Sequence, residues 1–155
     1  MTKSESFPHV QEFLQANHVG VLSTVGESQQ PLGSAVYFVT DEEFNIYFVT
    51  RVETQKYKNI EQNAKVALTV VEATQQTTVQ LSGNVAKLPA HDYADIVFDK
   101  LAALKPAKDA DWAPPIEKVH KGDYIALKIT PTHLQYANYS KAYREFNQVF
   151  IEKIV

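Results

Sequence analysis

The sequence predicts a single mainly β domain over residues 1–155, an antiparallel split β-barrel of six to eight strands with peripheral helices. Runs of β-branched and aromatic residues recur along the chain and are separated by short polar turns, which is typical of antiparallel strands. Helices do not alternate regularly with these runs, as a parallel doubly wound sheet would require. Consecutive antiparallel strands of this kind avoid open edges by closing into a barrel.

The first predicted elements are a helix and a strand. Residues Phe7–Ala16 predict a short amphipathic helix, because Val10, Phe13 and Leu14 fall on one helical face. Residues His18–Val25 are rich in β-branched side chains and end in the sequence GESQQ, whose composition is typical of a turn.

A hairpin and a second helix follow. Residues Leu32–Thr40 and Phe44–Thr50 are two β-rich runs joined by the short acidic turn 41–43, a pattern that predicts a β-hairpin. Residues Thr54–Asn63 predict a helix with charged and amide side chains on most of its surface.

The remaining elements are mostly strands. Lys65–Glu72 and Thr78–Leu88 predict two strands, and a helix is expected to begin at Pro89, since apolar residues then recur at helical spacing. The C-terminal part predicts three further strands, over Asp123–Thr130, His133–Ala137 and Gln148–Ile154.

Composition excludes several functional classes. The formal net charge is −3 and the pI is about 5.9, so the basic surface that non-specific nucleic-acid binding needs is missing. The sequence contains no cysteine, which rules out disulfides and thiolate zinc sites and fits a reducing compartment. No apolar run reaches the roughly 20 residues of a membrane span, and the N-terminus lacks a secretory signal. We therefore expect a cytoplasmic protein without nucleic-acid or membrane partners.

Common catalytic motifs are also missing from the sequence. There is no glycine-rich dinucleotide or phosphate loop and no G-x-S-x-G hydrolase motif. The five histidines never occur at the H-x-x-x-H spacing or beside paired carboxylates, so no metal site is predicted. No side chain is identified as a catalytic acid, base or nucleophile.

The stretch YFVTRVETQKYKNI, residues 47–60, combines hydroxyls and cations where a strand passes into a helix. Unpaired N–H groups at a helix start attract anions, and Thr50 and Thr54 could add hydroxyl donors. Arg51 and Lys56 would add positive charge. The alternative is purely structural: Thr54 caps the helix and the lysines form a solvated face.

Order and spacing of the motifs resemble the FMN-binding split-barrel family related to pyridoxamine 5'-phosphate oxidase, including its general-stress-type members. The resemblance spans roughly residues 7–88 and extends more weakly to 137. Its two most specific parts are T-x3-[ST]-x-K after an aromatic strand and V-Q-x-x-G-x-[VA] about 25 residues later.

This resemblance implies FMN at the interface of a homodimer. Thr50 and Lys56 would hold the phosphate, and Arg51 and Thr54 would assist them. Gln80 would reach the flavin or its ribityl chain from the other subunit. The isoalloxazine ring would lie along the backbone of four consecutive residues: Ser34, Ala35, Val36 and Tyr37.

The chain also departs from the oxidase itself. Ser34 stands where an arginine is usual, Val39 lies near the position of a usual lysine, and the C-terminal YANYSKAYREF lacks the arginine- and histidine-bearing substrate motif. We therefore expect a small FMN-dependent oxidoreductase with another substrate or a nicotinamide donor. The alternative is a non-catalytic flavin, deazaflavin or haem module on the same barrel.

Aromatic residues near the C-terminus leave two interpretations open. Trp112 could belong to a lid over the flavin or anchor a loop. Four further aromatic side chains could line a pocket or a dimer interface, or pack in the core: Tyr136, Tyr139, Tyr143 and Phe146.

Overall fold

The computed structural model describes residues 7–89, 93–104, 124–140 and 151–153, which form three helices and eight strands. The helices are α1 (Phe7–Ala16), α2 (Gln55–Gln62) and α3 (Tyr93–Ala102). The strands are β1 (Val19–Val25), β2 (Pro31–Tyr37), β3 (Val39–Thr40), β4 (Ile46–Arg51), β5 (Lys65–Glu72), β6 (Thr77–Lys87), β7 (Tyr124–Asn138) and β8 (Ile151–Lys153).

All eight strands belong to one antiparallel sheet. Its order is β2-β1-β5-β6-β7-β4-β3, and β8 pairs with β7 outside this path. The helices lie between strands in sequence, α2 after β4 and α3 after β6. The predicted mainly β fold with peripheral helices is confirmed.

Strands β2 and β3 follow each other in sequence but lie at opposite ends of the sheet. Phe38 alone separates them, so the two ends must come together and the sheet curls into a half-barrel. The Phe38 side chain is fully buried, and its N–H donates to the carbonyl of His18 at 2.9 Å. The predicted hairpin is therefore limited to β3 and β4, because residues 31–37 pair with β1 instead.

Two hydrophobic clusters hold the barrel together. The larger one fills the interior with aromatic and aliphatic side chains, and α1 covers it with Val10, Phe13 and Leu14. The smaller one joins α3 to the sheet, where Val97, Phe98 and Leu101 pack with Ala126. Burial of such side chains is worth about 1.5–3 kcal/mol each. The second cluster fixes α3 beside β4 and the start of β7.

Strand β7 is one continuous element, whereas the sequence predicted a break near Pro131. Proline lacks the N–H of a regular ladder and is tolerated in sheets at bulges or edges. The register with β6 shifts between Ser82 and Gly83, and Gly83 lies opposite Pro131. The Thr132 hydroxyl also donates to the Ser82 carbonyl at 3.3 Å. The bulge accommodates the proline without ending the strand.

The turn before β4 is organised by Asp41. Its carboxylate accepts hydrogen bonds from the N–H of Glu43 at 2.9 Å and of Asn45 at 3.0 Å. It also accepts one from the Asn45 side chain at 2.9 Å and one from the Tyr47 hydroxyl at 2.8 Å. These bonds stabilise a turn in which the buried Phe44 adopts a left-handed φ of 64°.

We expect Asp41→Asn to destabilise the protein in a pH-dependent way. Burial alone would raise the pKa of Asp41, but hydrogen bonds from Asn45, Tyr47 and Glu43 outweigh it and hold this pKa below its usual range. A lowered folded-state pKa stabilises the fold above the unfolded pKa of about 3.9, and the contribution is lost as pH falls through the folded pKa. Urea unfolding at pH 7 should show a loss of about 1–3 kcal/mol.

Urea unfolding repeated below pH 4 separates the effect of the Asp41 charge from that of the shape of its side chain. The difference in unfolding free energy between wild type and Asp41→Asn should narrow as the wild-type carboxylate is protonated. The exposed neighbour Glu42 provides the control, since Glu42→Gln should leave the unfolding free energy nearly unchanged. A difference that stays constant at all pH values would contradict the role of the Asp41 charge.

Candidate cofactor site

A cleft of about 140 Å³ lies where the edge strand β2 and the strand β4 meet two helices and the start of β7. Four of the nine residues predicted to bind the cofactor line it: Ala35, Val36 and Tyr37 on β2, and Lys56 on α2. Three further residues complete its wall: Val49, Leu101 and Tyr124. The cleft is thus an apolar and aromatic recess with one cation.

Lys56 brings a positive charge into this recess. Its side chain is half-buried, and burial lowers the pKa of the Lys56 ammonium. Among the described residues, none forms an ion pair or a hydrogen bond with this ammonium. A partly desolvated cation without a counter-charge favours an anionic ligand.

The start of α2 is capped by Thr54. Its hydroxyl accepts from the N–H of Tyr57 at 3.3 Å and donates to the carbonyl of Arg51 at 2.8 Å. The hydroxyl of the buried Thr50 lies 3.2 Å from it. Because the Thr54 proton is directed at Arg51, Thr50 must be the donor of this contact. The capping role that the sequence left open for Thr54 is therefore present in the fold.

Three of the predicted phosphate ligands have partners within the ligand-free chain. Both threonine protons are used within the turn, and Arg51 forms an ion pair with Glu53 on the surface. The backbone N–H groups of Gln55 and Lys56, in contrast, have no acceptor among the described residues. They lie at the positive end of the helix dipole. Two amides and the Lys56 ammonium are thus the groups open to an anion.

Strand β2 supplies the floor of the cleft. In the described sheet it has a neighbour on one side only, so backbone groups on its other side lack a strand partner. Such groups can donate to and accept from the polar edge of a flat heterocycle. Ser34, which pairs with Leu22, lies on the same strand but does not line the cleft.

Gln80 is not brought to the cleft of its own chain. The register links Ala35 to Val21, Val21 to Thr69, and Thr69 to Gln80, so three strand spacings separate Ala35 from Gln80. At roughly 4.8 Å per spacing this is about 14 Å along the sheet, beyond the reach of a glutamine side chain. The Gln80 side chain is exposed on the outer face of β6.

Sequence reasoning missed three residues of the cleft wall. Val49, Leu101 and Tyr124 come from β4, α3 and β7, which are far apart in sequence. Val49 directly precedes the predicted Thr50, and strand alternation could have indicated that the two side chains point to opposite faces. No local pattern marks Leu101 or Tyr124, because only the tertiary fold brings them to the cleft.

The C-terminal aromatic residues have different positions. Tyr136 is buried in the larger hydrophobic cluster, as the core-packing interpretation predicted, and Tyr139 is exposed. Three others lie outside the described residues: Trp112, Tyr143 and Phe146.

The described part of the chain contains no helix with the length and hydrophobicity needed to cross a membrane. It also contains no group of three or more histidine, aspartate or glutamate side chains arranged to hold a metal ion. The groups that can contact a ligand at the cleft are its lysine, the backbone amides at the start of α2 and its aromatic walls.

Comparison with known proteins gives a family for the chain. Residues 7–138 match the family of pyridoxamine 5'-phosphate oxidase. No curated protein matches the chain in sequence. Many solved structures share the fold at low sequence identity.

Three solved structures illustrate this similarity. General stress protein 26 from Bacillus anthracis is 18% identical, with a TM-score of 0.67 over 86% of this chain and 94% of its own. A pyridoxamine 5'-phosphate oxidase-related, FMN-binding protein from Nostoc punctiforme is 12% identical, with a TM-score of 0.67 over 98% and 90%. The heme storage protein HutZ from Vibrio cholerae is 16% identical, with a TM-score of 0.65 over 82% and 91%.

We expect Lys56→Met to stabilise the ligand-free protein. Methionine keeps the aliphatic length and removes a cation whose charged form is disfavoured by burial, so the unfolding free energy at pH 7 should rise by on the order of 1 kcal/mol. Because the folded-state pKa of Lys56 is lowered, the wild type should gain stability as pH rises towards 10, and the variant should not.

The neighbouring Lys58 provides the matched control, since its side chain is exposed on the same helix. Lys58→Met should change the unfolding free energy little. Thermal or urea unfolding of the three proteins without ligand checks the prediction. If Lys56→Met destabilises the ligand-free protein, Lys56 stabilises the fold, and the prediction is wrong.

Proposed function

The chain belongs to the pyridoxamine 5'-phosphate oxidase family, and we propose that it is an FMN-binding flavoprotein that acts as a small oxidoreductase. One observation carries the proposal: a half-buried lysine lies in an apolar cleft at the start of α2, and neither it nor the first two amides of that helix has a partner among the described residues. This combination suits a ligand with a phosphate at one end and a flat apolar ring at the other.

The residues present fit FMN at both ends. The phosphate would lie at the start of α2, where the Lys56 ammonium and the N–H groups of Gln55 and Lys56 can donate to it. The isoalloxazine ring would lie along β2 from Ala35 to Tyr37, and its polar edge would face the side of β2 that has no neighbouring strand in the described sheet. Thr50 and Thr54 would act indirectly, by holding the turn that presents these donors.

FMN, when bound, supplies the hydride and electron chemistry. The chain contributes binding, orientation and exclusion of water. The seven residues that line the cleft include no carboxylate and no histidine, so we assign no general acid or base. A reduced nicotinamide or another small molecule would deliver electrons at the open side of the ring.

We propose that the functional unit is a homodimer. A cleft of about 140 Å³ is smaller than the roughly 300–1,000 Å³ of sites that enclose a ligand of this class, so one chain surrounds only part of it. The outer face of β1 and β5 exposes Val19, Val21 and Val71, each 46–58% accessible. A second copy placed on this face would cover these side chains and bring Gln80 of the partner subunit towards the flavin.

A non-catalytic carrier of flavin, deazaflavin or haem is the second candidate, because a heme storage protein shares the fold. Haem proteins use axial histidine, cysteine, methionine or tyrosine ligands. Among the cleft-lining residues only Tyr37 and Tyr124 belong to this set, and the free phosphate donors suit a flavin better. Oxidation of reduced nicotinamide by the FMN-loaded protein would separate an enzyme from a carrier.

We expect the purified protein to show the visible bands of an oxidised flavin or to take up FMN saturably. Lys56→Met should weaken FMN binding by about 1–3 kcal/mol, because a charge-assisted phosphate contact is lost. Fluorescence titration measures the dissociation constants, with Lys58→Met as the control that keeps wild-type affinity. A colourless protein that ignores FMN, or equal affinity in the Lys56 variant, would refute the proposed site.

We also expect light scattering to report a dimer for the FMN-loaded protein. Val21→Glu should shift it towards monomer and weaken FMN, because a charge would be buried against the second copy. Gln15→Glu adds the same negative charge on the exposed side of α1 and should leave the dimer intact. A flavin-loaded monomer at micromolar concentration would contradict the shared site.

A further inference from the structure

Helix α2 carries three amide side chains along one face, Gln55, Asn59 and Gln62, which we name the amide stripe. Their spacing of four and three residues places them within one helical stripe. The stripe is turned towards the end of β1. The apolar side of the helix is separate from it, since Tyr57 and Ile60 pack into the larger hydrophobic cluster.

Asn59 is the centre of the stripe. It is only 4% exposed, and its amide N–H donates to the hydroxyl of Thr24 at 3.1 Å. Thr24 is completely buried on β1. The Asn59 carbonyl oxygen accepts from the Gln55 side chain at 2.9 Å, so both ends of the buried amide are hydrogen-bonded.

The far end of the stripe holds the turn after β1. The side-chain oxygen of Gln62 accepts from the N–H of Glu27 at 2.8 Å. Gly26 allows this approach, because a Cβ there would lie 2.8 Å from that same oxygen and still closer to Asn59. Helix α2 is therefore attached by directional hydrogen bonds at two points, one on β1 and one on the turn after it.

The rotation of α2 determines where Lys56 points. Lys56 follows Gln55 directly, about 100° further around the helix. A rotation of about 20° would move a group on the helix surface, some 6 Å from the axis, by about 2 Å. That displacement exceeds the tolerance of a hydrogen bond. Apolar packing alone is non-directional, whereas the bonds of the stripe define one rotation and one axial position.

We infer that the amide stripe and Thr24 position Lys56 and the first amides of α2 for the phosphate of the cofactor, and that they thereby set the preference for a phosphorylated flavin. This inference rests on the proposed function. Asn59 and Thr24 are positioning residues, since neither lines the cleft. Thr24 lies on β1, which pairs directly with the ring-binding strand β2. The Thr24 hydroxyl thus links α2, at the phosphate end of the proposed site, to β1, which lies beside β2 at the ring end.

The test compares FMN with riboflavin, which lacks the phosphate, on the full-length protein. Thr24→Val keeps the shape of the side chain and removes the acceptor for Asn59, whereas Thr24→Ser retains the hydroxyl. Val79→Ala, in the buried core of β6, serves as a control that lowers stability away from α2. Dissociation constants for both flavins and the midpoint of thermal unfolding are measured for each protein.

We expect Thr24→Val to weaken FMN about five- to tenfold, as for one lost hydrogen bond, while riboflavin binding is unchanged. Thr24→Ser should keep the preference for FMN over riboflavin. Val79→Ala should lower the unfolding midpoint and leave that preference unchanged. A preference for FMN over riboflavin that is undiminished in Thr24→Val, or equal weakening of both flavins, would overturn the inference. Wild-type protein that binds both flavins equally would contradict the proposed phosphate site itself, and the inference with it.

Discussion

The closure of the sheet at Phe38 is the constraint on which the site depends. One residue joins β2 to β3, although these strands form opposite ends of the sheet, so the sheet must curl until its ends meet. Burial of the Phe38 ring in the barrel interior stabilises this closure. In the described sheet β2 has a neighbouring strand on one side only, and the closure brings its last residues next to the end of β4 and the start of α2. The cleft is the space left at this junction.

The junction combines stabilising and destabilising features. Apolar clusters and the Asp41 turn stabilise the fold around it. Lys56, in contrast, is partly desolvated, and within the described part of the chain it has no counter-charge and the first amides of α2 have no acceptor. Groups of this kind are satisfied either by solvent or by a bound ligand. In our proposal the same groups bind the phosphate of the cofactor, and they lower the stability of the ligand-free protein.

The barrel alone does not determine what is bound. The same fold occurs in an FMN-binding protein and in a heme storage protein, each less than 20% identical to this chain. The features of this chain on which our proposal rests are local: one cation, two helix amides and an apolar strand edge. The usual oxidase arginine is replaced by Ser34, which lies outside the cleft wall. We therefore propose a specific cofactor, FMN, but no specific substrate.

Much of the fold was predictable from the sequence, because strand alternation, turn residues and helix caps are local properties. The bounds of α1 and β5 agree with the prediction, and Thr54 caps α2 as its position before a helical segment indicated. The motif around Lys56 and the apolar run Ala35–Tyr37 were also identified from sequence. These features depend on residues that are close together in the chain.

Only the tertiary structure decided which of these residues meet. It brought Lys56 together with Tyr37 and added Leu101 and Tyr124, which no local pattern had marked. It also directed the hydroxyls of Thr50 and Thr54 into the turn and placed Gln80 three strands away. The physical reason is that these relations follow from strand register and sheet closure. Both are set by long-range pairing and core packing, so the sequence by itself determined the elements and their chemistry, and the closed sheet determined the site.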